Sequence, residues 1–256
     1  MDKYIRKKEV LRLYSSGRSE KIEDELLEEE YIELHVDGKR EASVIHSCGN
    51  EKIWALGNLA CRQMILSMED VEELSFRERR ISVKRKVFRH GISLQNRYIH
   101  TASTALTGQR DSPEDMRYLL PVRWKVTAGK VYSSVRKLRE AEIFRRTGSA
   151  HVAILVSRRG EILFTVEDIG RHNAVDKAVG WALMQGIRRD NCFLVVSGRL
   201  PADMVQKAAG AGVPMLVSVS AATASGVEKA ISEGITLVGF AREGRMNIYS
   251  FPERIG

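Results

Sequence analysis

Hydrophobic and polar positions divide the chain into two differently patterned halves. In the second half, short apolar runs alternate with amphipathic stretches. Val152 to Val156, Cys192 to Val196 and Pro214 to Val219 are continuous apolar runs of the buried-strand type, and Ile162 to Val166 is a shorter one. Val131, Val135, Leu138 and Ala141 predict a helix closed by Thr147-Gly148. Ala174/Val175, Ala178/Val179 and Ala182/Leu183 recur every four residues and predict another over 174–187. A third starts at Pro201, a residue suited to the first helical position, and a fourth runs from Ala224 to Ser232, ending at Gly234. Ile235 to Phe240 and Met246 to Phe251 predict paired strands around Arg242-Glu243-Gly244-Arg245. This alternation predicts an α/β domain with a mainly parallel or mixed sheet. Ligands of such sheets bind beyond the carboxyl ends of the strands.

The first half is less regular. Residues 1–17 are basic and weakly periodic, which predicts a loose arm or short helix, and residues 20–33 are acidic. Tyr31 to Val36 alternates at period two, Asp37-Gly38 signals a turn, and Ala42 to Ile45 is the return strand of a hairpin. Ile53 to Met64 reads as a helix and Glu69 to Leu74 as a short acidic connector. Residues 77–97 then carry eight Lys/Arg against the single acid Glu78, with Ile81, Val83 and Val87 alternating as in a half-buried basic strand. From Arg97 to Val122 small and polar residues bounded by turn formers predict a long loop. It divides an α+β region, 1–122, from the α/β domain, 123–256.

The densest chemistry lies between Thr165 and Gly180, where a strand meets a helix. Glu167, Asp168, a glycine and Arg171-His172-Asn173 occupy the junction. Asn173 suits the N-cap, and Asp176 then falls in the acid-favouring first turn. A helix start offers unpartnered N–H groups and a dipole that favours anions, and Arg171 and His172 add donors. The alternative is a capped turn with solvated charges.

Composition narrows the classes. Of the 256 residues, 43% are hydrophobic and 29% charged, as expected of a globular protein with a real core. No apolar run approaches the roughly 18 residues of a membrane span. The charged start MDKYIRKKEV lacks the apolar region of a secretory signal. Three cysteines, Cys48, Cys61 and Cys192, cannot build a disulfide framework and fit a reducing cytoplasm. A net charge of +8 points to an anionic partner. There is no C-x-x-C pair, Walker A loop, G-x-G-x-x-G, G-x-S-x-G or zinc-deaminase element, and no metal-ligand set is read. His151, alone before a buried strand, reads as a hydrogen-bonded structural residue.

Taken together, the motifs resemble the formate dehydrogenase accessory sulfurtransferases, the FdhD/NarQ family. The resemblance rests on Glu167-Asp168-Ile169-Gly170-Arg171-His172-Asn173-Ala174-Val175-Asp176-Lys177, on Thr147-Gly148-x-x-His151-x-Ala153, and on Ser197-Gly198-Arg199. It extends through Met204-Val205-x-Lys207-Ala208, Gly212-x-Pro214-x-Leu216-x-Ser218-x-Ser220-Ala221 and Thr236-Leu237-x-Gly239-Phe240-x-Arg242 to Asn247-x-Tyr249. Ala55-Leu56-Gly57 carries it more weakly into the first half. It implies a cytidine-deaminase-like three-layer core with a mixed sheet and no catalytic zinc, in a cytoplasmic homodimer. Members carry sulfur from a cysteine desulfurase to the molybdenum bis(molybdopterin guanine dinucleotide) cofactor before it enters formate dehydrogenase or a related molybdenum or tungsten enzyme. By motif position, the segment that binds the cofactor's guanine nucleotide moiety is Phe240-Ala241-Arg242-Glu243-Gly244-Arg245. Its two guanidinium forks suit phosphate. Arg171, His172 and Arg199 complete the candidate binding set.

Two departures bear on the sulfur chemistry. The family's C-G-x-C-G loop, whose first cysteine forms the persulfide, falls on Thr104-Ala105-Leu106-Thr107-Gly108. The hydroxyls of Thr104 and Thr107 cannot replace a thiolate. Conversely, Ser47-Cys48-Gly49-Asn50 stands where T-P-G-D is usual, which makes Cys48, preceded by His46, a candidate replacement carrier. Cys61 and Cys192 read as inert core residues. Three readings stay open: a sulfurtransferase using Cys48 or a mechanism that dispenses with the loop thiols, a cofactor- or nucleotide-binding maturation factor without sulfur transfer, and a nucleic-acid or acidic-partner binder built on residues 77–97.

Overall fold

A computed structural model describes residues 4–47, 49–86, 124–242 and 244–256. The chain begins with an antiparallel hairpin, β1 (Ile5–Leu13) and β2 (Ser19–Leu27), and not with the arm or short helix expected from 1–17. Charge complementarity accounts for the difference. The basic strand lies on the acidic one, with Lys7–Glu23 at 2.9 Å and Lys21–Glu9 at 2.8 Å across it. Each exposed cross-strand pair adds only ~0.2–1 kcal/mol, but none of them could form in an isolated arm.

Next comes a four-stranded sheet of β3 (Glu29–Val36), β4 (Lys39–Ser47), β5 (Val71–Arg77) and β6 (Arg80–Arg85), in the order β4-β3-β6-β5. The expected 31–45 hairpin is β3–β4. The acidic connector is instead a 3-10 turn (Met68–Asp70) leading into β5, which pairs with β6. Alternation turns Ile32, Leu34, Val36, Ala42, Val44, Ile81 and Val83 onto one buried face. Helix α1 (Glu51–Cys61) covers that face and is itself buried from Ile53 to Cys61. In the part of the basic block that is described, Arg85 pairs with Asp37 at 2.7 Å and Lys84 with Glu72 at 2.7 Å. Residues 87–97 and the expected loop at 97–122, with Thr104, Thr107 and the proposed boundary, lie outside the described residues.

The second half contains α2 (Ala128–Arg136), a 3-10 turn (Lys137–Glu140), α3 (Glu142–Thr147), β7 (His151–Ser157), β8 (Ile162–Asp168) and α4 (Arg171–Met184). These are followed by β9 (Cys192–Val196), α5 (Ala202–Gly210), β10 (Met215–Ser218), α6 (Ala224–Glu233), β11 (Thr236–Arg242) and β12 (Arg245–Ser250). The helix expected over 131–147 is broken, because Ala141 takes an extended backbone between the 3-10 turn and α3. Six strands form one mixed sheet in the order β12-β11-β10-β9-β7-β8. Its β9-β10-β11 centre is parallel, and β7, β8 and β12 pair antiparallel. The fold is α/β, as the alternation predicts.

Successive strand residues serve opposite faces. Ala153, Leu155, Leu194, Val196, Leu216 and Leu237 share a core with α4 and α5. Val152, Ile154, Val156, Phe193, Val195, Met215 and Val217 pack instead with Val131, Val135 and Leu138. The first core continues through α1 to the four-stranded sheet, so the two halves of the chain share it. Helices α1 and α4 meet backbone to backbone. A Cβ on Gly57 would lie 1.7 Å from the carbonyl oxygen of Asp176, and one on Gly180 1.7 Å from that of Ile53. No helix among the described residues is long and apolar enough to cross a membrane.

Candidate functional site

Strand pairing assembles the site at one edge of the six-stranded sheet. His151, which opens β7, pairs with Asp168, which closes β8. Ala153 pairs with Val196 at the end of β9, and Ser218 pairs with Val196 from β10. The turns after β8, β9, β10 and β11 therefore emerge side by side. Hydrogen bonds stitch them together. Ser218 Oγ donates to the Gly198 carbonyl at 2.6 Å, the Ser220 amide to Ser218 Oγ at 2.9 Å, and the Phe240 amide to the Ser220 carbonyl at 2.9 Å.

Beneath this edge, Asp168 anchors the junction of β8 and α4. Its Oδ1 accepts from the Gly170 amide at 2.8 Å and from Asn173 Nδ2 at 3.0 Å, while Oδ2 lies 2.6 Å from Lys177 Nζ. Asn173 is not the N-cap; Gly170 holds that position, and α4 starts at Arg171. The side chain of Asn173 turns inward, donating also to the Ile45 carbonyl at 3.0 Å and accepting from Trp54 Nε1 at 3.2 Å. Asp176 lies beyond the first turn, fully buried, with both oxygens on Lys207 Nζ at 2.6 and 2.7 Å. Likewise Pro201 is the N-cap of α5 and not its first residue. Several charges of the signature segment are thus internal pairs.

Cations dominate the rim. Arg171 is half-buried, and its Nε has no hydrogen-bond partner among the described residues. Its side chain crosses Gly198, where an added Cβ would come within 3.2 Å of Arg171 Cβ. His172 is 1% exposed, with Nε2 3.1 Å from Asp203 Oδ2 and Nδ1 without a hydrogen-bond partner among the described residues. Burial opposes the charge on Asp203, but the His172 imidazole and Arg171 outweigh it and hold the carboxyl below its ordinary range. His151 Nδ1 lies 3.2 Å from Ser197 Oγ, which also accepts from the Val152 amide at 3.0 Å. Burial, then the charges of Arg171 and His172, push the His151 pKa down.

Two strands along the edge, Phe240 takes a left-handed backbone (φ 49°) within an irregular stretch of the β11–β12 pairing. Arg242 reaches back to the Val219 carbonyl at 3.4 Å, and its guanidinium lies 6.0 Å from the Phe240 ring centre. Arg245 is its cross-strand partner; both are exposed, as is Arg199 after β9. Ala241 is buried and Gly244 turns the hairpin with φ 83°. The structure therefore groups Arg171 and His172 with His151 and Asp203, and carries the Arg242–Arg245 turn on the same edge. Cys48 and Glu243 lie outside the described residues. Sequence reading missed Asp203, a lone acid in an ordinary helix start. It also missed the Asp168–Lys177 and Asp176–Lys207 pairs, whose only signal was charge at apolar-face positions.

The remaining thiols are poor nucleophiles. Burial raises the Cys61 pKa well above the ordinary thiol value and pushes Cys192 up to about 11. Cys192 also lines a cavity of 310 Å³ at the opposite edge of the sheet, with Arg159, Glu161 and Arg188, away from the cationic rim.

Comparison with known proteins matches this arrangement as a whole. The family model "FdhD/NarQ family" matches residues 27–256. "Sulfur carrier protein FdhD" of Anaeromyxobacter dehalogenans is 35% identical over 92% of this chain and 90% of its own length. The protein of that name from Sulfolobus acidocaldarius is 33% identical over 98% of both chains. A solved structure from Desulfotalea psychrophila, assigned as a formate dehydrogenase accessory protein, covers 99% of this chain with a TM-score of 0.78 at 21% identity, a likeness of fold. With the family model spanning both sheets and every turn of the cationic edge, the chain belongs to the FdhD/NarQ family.

Proposed function

We propose that this formate dehydrogenase accessory protein binds the guanine nucleotide portion of the molybdenum bis(molybdopterin guanine dinucleotide) cofactor along the carboxyl edge of its six-stranded sheet. The observation that carries the reading is the placement of Arg171, Arg199, Arg242 and Arg245 on turns of this one edge, with the Nε of Arg171 and Nδ1 of His172 unpartnered among the described residues. Buried donors without partners are unfavourable until an acceptor arrives. A dinucleotide supplies phosphates for the guanidinium forks. It also supplies a base that can stack on the Phe240–Arg242 turn. Asp203 holds His172, and Asp168 holds the start of α4, so the donors are positioned before ligand arrives. The cofactor is cargo, received and passed to a molybdenum enzyme, which suits the exposed Arg199, Arg242 and Arg245.

Titration with GDP tests this by calorimetry. Arg242→Ala and Arg171→Ala are each expected to weaken binding roughly tenfold or more, the loss of a charge-assisted hydrogen bond of ~1.5–3 kcal/mol. Unchanged affinity in both variants would remove the site from this edge.

Sulfur delivery is a separate question. With Cys61 and Cys192 buried and their pKa values raised, persulfide formation from a cysteine desulfurase falls to Cys48. Intact-mass measurement after incubation with desulfurase and cysteine decides it. A reducible gain of about 32 Da that vanishes in Cys48→Ala means a sulfur carrier with a relocated thiol. No gain, with GDP still bound, means a binding factor that matures its enzyme without carrying sulfur.

A further inference from the structure

Beneath the cationic edge, where Asn173 donates to the Ile45 carbonyl, the β3–β4 hairpin ends in a second cluster of titratable side chains. Along its buried face the cross-strand pairs are Leu34 with Ala42, Ile32 with Val44, and then Glu30 with His46. Alternation thus places a carboxylate and an imidazole at inward positions that are apolar further along. Glu51, the first residue of α1, brings a second carboxylate to the same spot. One donor atom from each of Glu30, His46 and Glu51 lies within 4.8 Å of the other two. His46 is 0% exposed, and neither of its ring nitrogens has a hydrogen-bond partner among the described residues.

We propose that Glu30, His46 and Glu51 bind a divalent transition-metal cation of the zinc type. One imidazole nitrogen and two carboxylate oxygens suit such an ion at about 2.0–2.2 Å from each. Three donors 4.8 Å apart or closer need only small side-chain rotations to close on it. Charge agrees: the groups that act on His46 are the ammonium of Lys177 and the carboxylates of Asp168, Glu51 and Glu30. With a neutral imidazole that sums to an excess of two negative charges, which one divalent cation balances. The partly exposed carboxylates give the ion a route in, and the buried imidazole fixes its depth. The site is structural in placement, clamping the end of β4 to the start of α1 beside the Ser47 carbonyl that Lys177 holds at 3.1 Å. Spacing along the chain hides it, since 16 and five residues separate the three donors and only the β3–β4 register joins them.

The test uses the full chain, stripped with chelator and titrated with Zn²⁺ by competition against a chromophoric chelator, then with Co²⁺ by visible absorption. One equivalent per chain is expected. Glu30→Gln and Glu51→Gln keep size and exposure, and each is expected to weaken binding at least roughly tenfold, the scale seen for losing even a supporting group of a metal site. Zinc should raise the melting temperature of the parent chain and not of the double variant. The proposal is overturned if the stripped parent takes up no stoichiometric zinc, or if both Gln variants bind as the parent does.

Discussion

Buried charge is the main residue-scale feature of this protein. Asp176 and Lys207 are both 0% exposed and 2.6 Å apart, with Asn58 donating to Asp176 at 3.2 Å. Removing one partner strands the other charge in the core. Lys207→Met alone is expected to destabilise by about 3–5 kcal/mol in chemical denaturation, whereas Lys207→Met with Asp176→Leu should recover much of the loss. A single substitution no worse than the pair would show that the interaction is solvated. Much of this chemistry was legible only as composition. The signature segment announced Asp168, Arg171, His172 and Asp176, but not which charges face inward. Asn173 shows why: it has ideal N-cap chemistry, yet Trp54 and Ile45 from the other half of the chain claim its side chain.

At the scale of elements, the crossing of α1 and α4 sets the geometry of the site, because α4 starts at Arg171. Gly57 and Gly180 let the helix backbones touch. Alanine normally favours a helix by up to ~1 kcal/mol over glycine, but here its Cβ would lie 1.7 Å from a carbonyl oxygen. The steric term wins. Gly57→Ala and Gly180→Ala are each expected to cost at least ~1–3 kcal/mol and to weaken GDP binding as α4 shifts. A melting temperature equal to the parent's would contradict the close crossing. The strands and helices of the second half were readable because apolar runs buried on both faces need no context. The β1–β2 hairpin was not, since its pairing is set by cross-strand charge, and neither was β5, whose acidic start at Glu72 and Glu73 conceals a strand that pairs with β6. The break at Ala141 was hidden because Val131, Val135, Leu138 and Ala141 all still face the core.

On the scale of the whole molecule, the net charge of +8 and the cationic edge make ligand binding sensitive to solution conditions. His151 links the two. Its pKa is held below the ordinary 6.5 by burial and by the neighbouring Arg171 and His172. Because the folded value is depressed, the folded protein favours the neutral ring. That contribution is complete above pH 6.5 and is lost as pH falls through the lower folded value. Asp203, also depressed, keeps its contribution above its ordinary 3.8 and loses it only under stronger acid. Acid should therefore lower the melting temperature in two separated stages, and His151→Asn should shrink the first, the rest of which belongs to His46, whose pKa burial also lowers. A phosphate on the same edge acts in the opposite sense, since its negative charge favours the protonated ring. GDP binding should then take up a proton and tighten as pH falls from about 7.5 to about 5.5, with the slope set by proton uptake. Calorimetry in buffers of different ionisation enthalpy reads that uptake directly. If His151→Asn binds GDP with the parent's pH dependence, the phosphate does not sit against the Arg171–His172 end of the edge, and the Arg242–Arg245 turn must hold it alone.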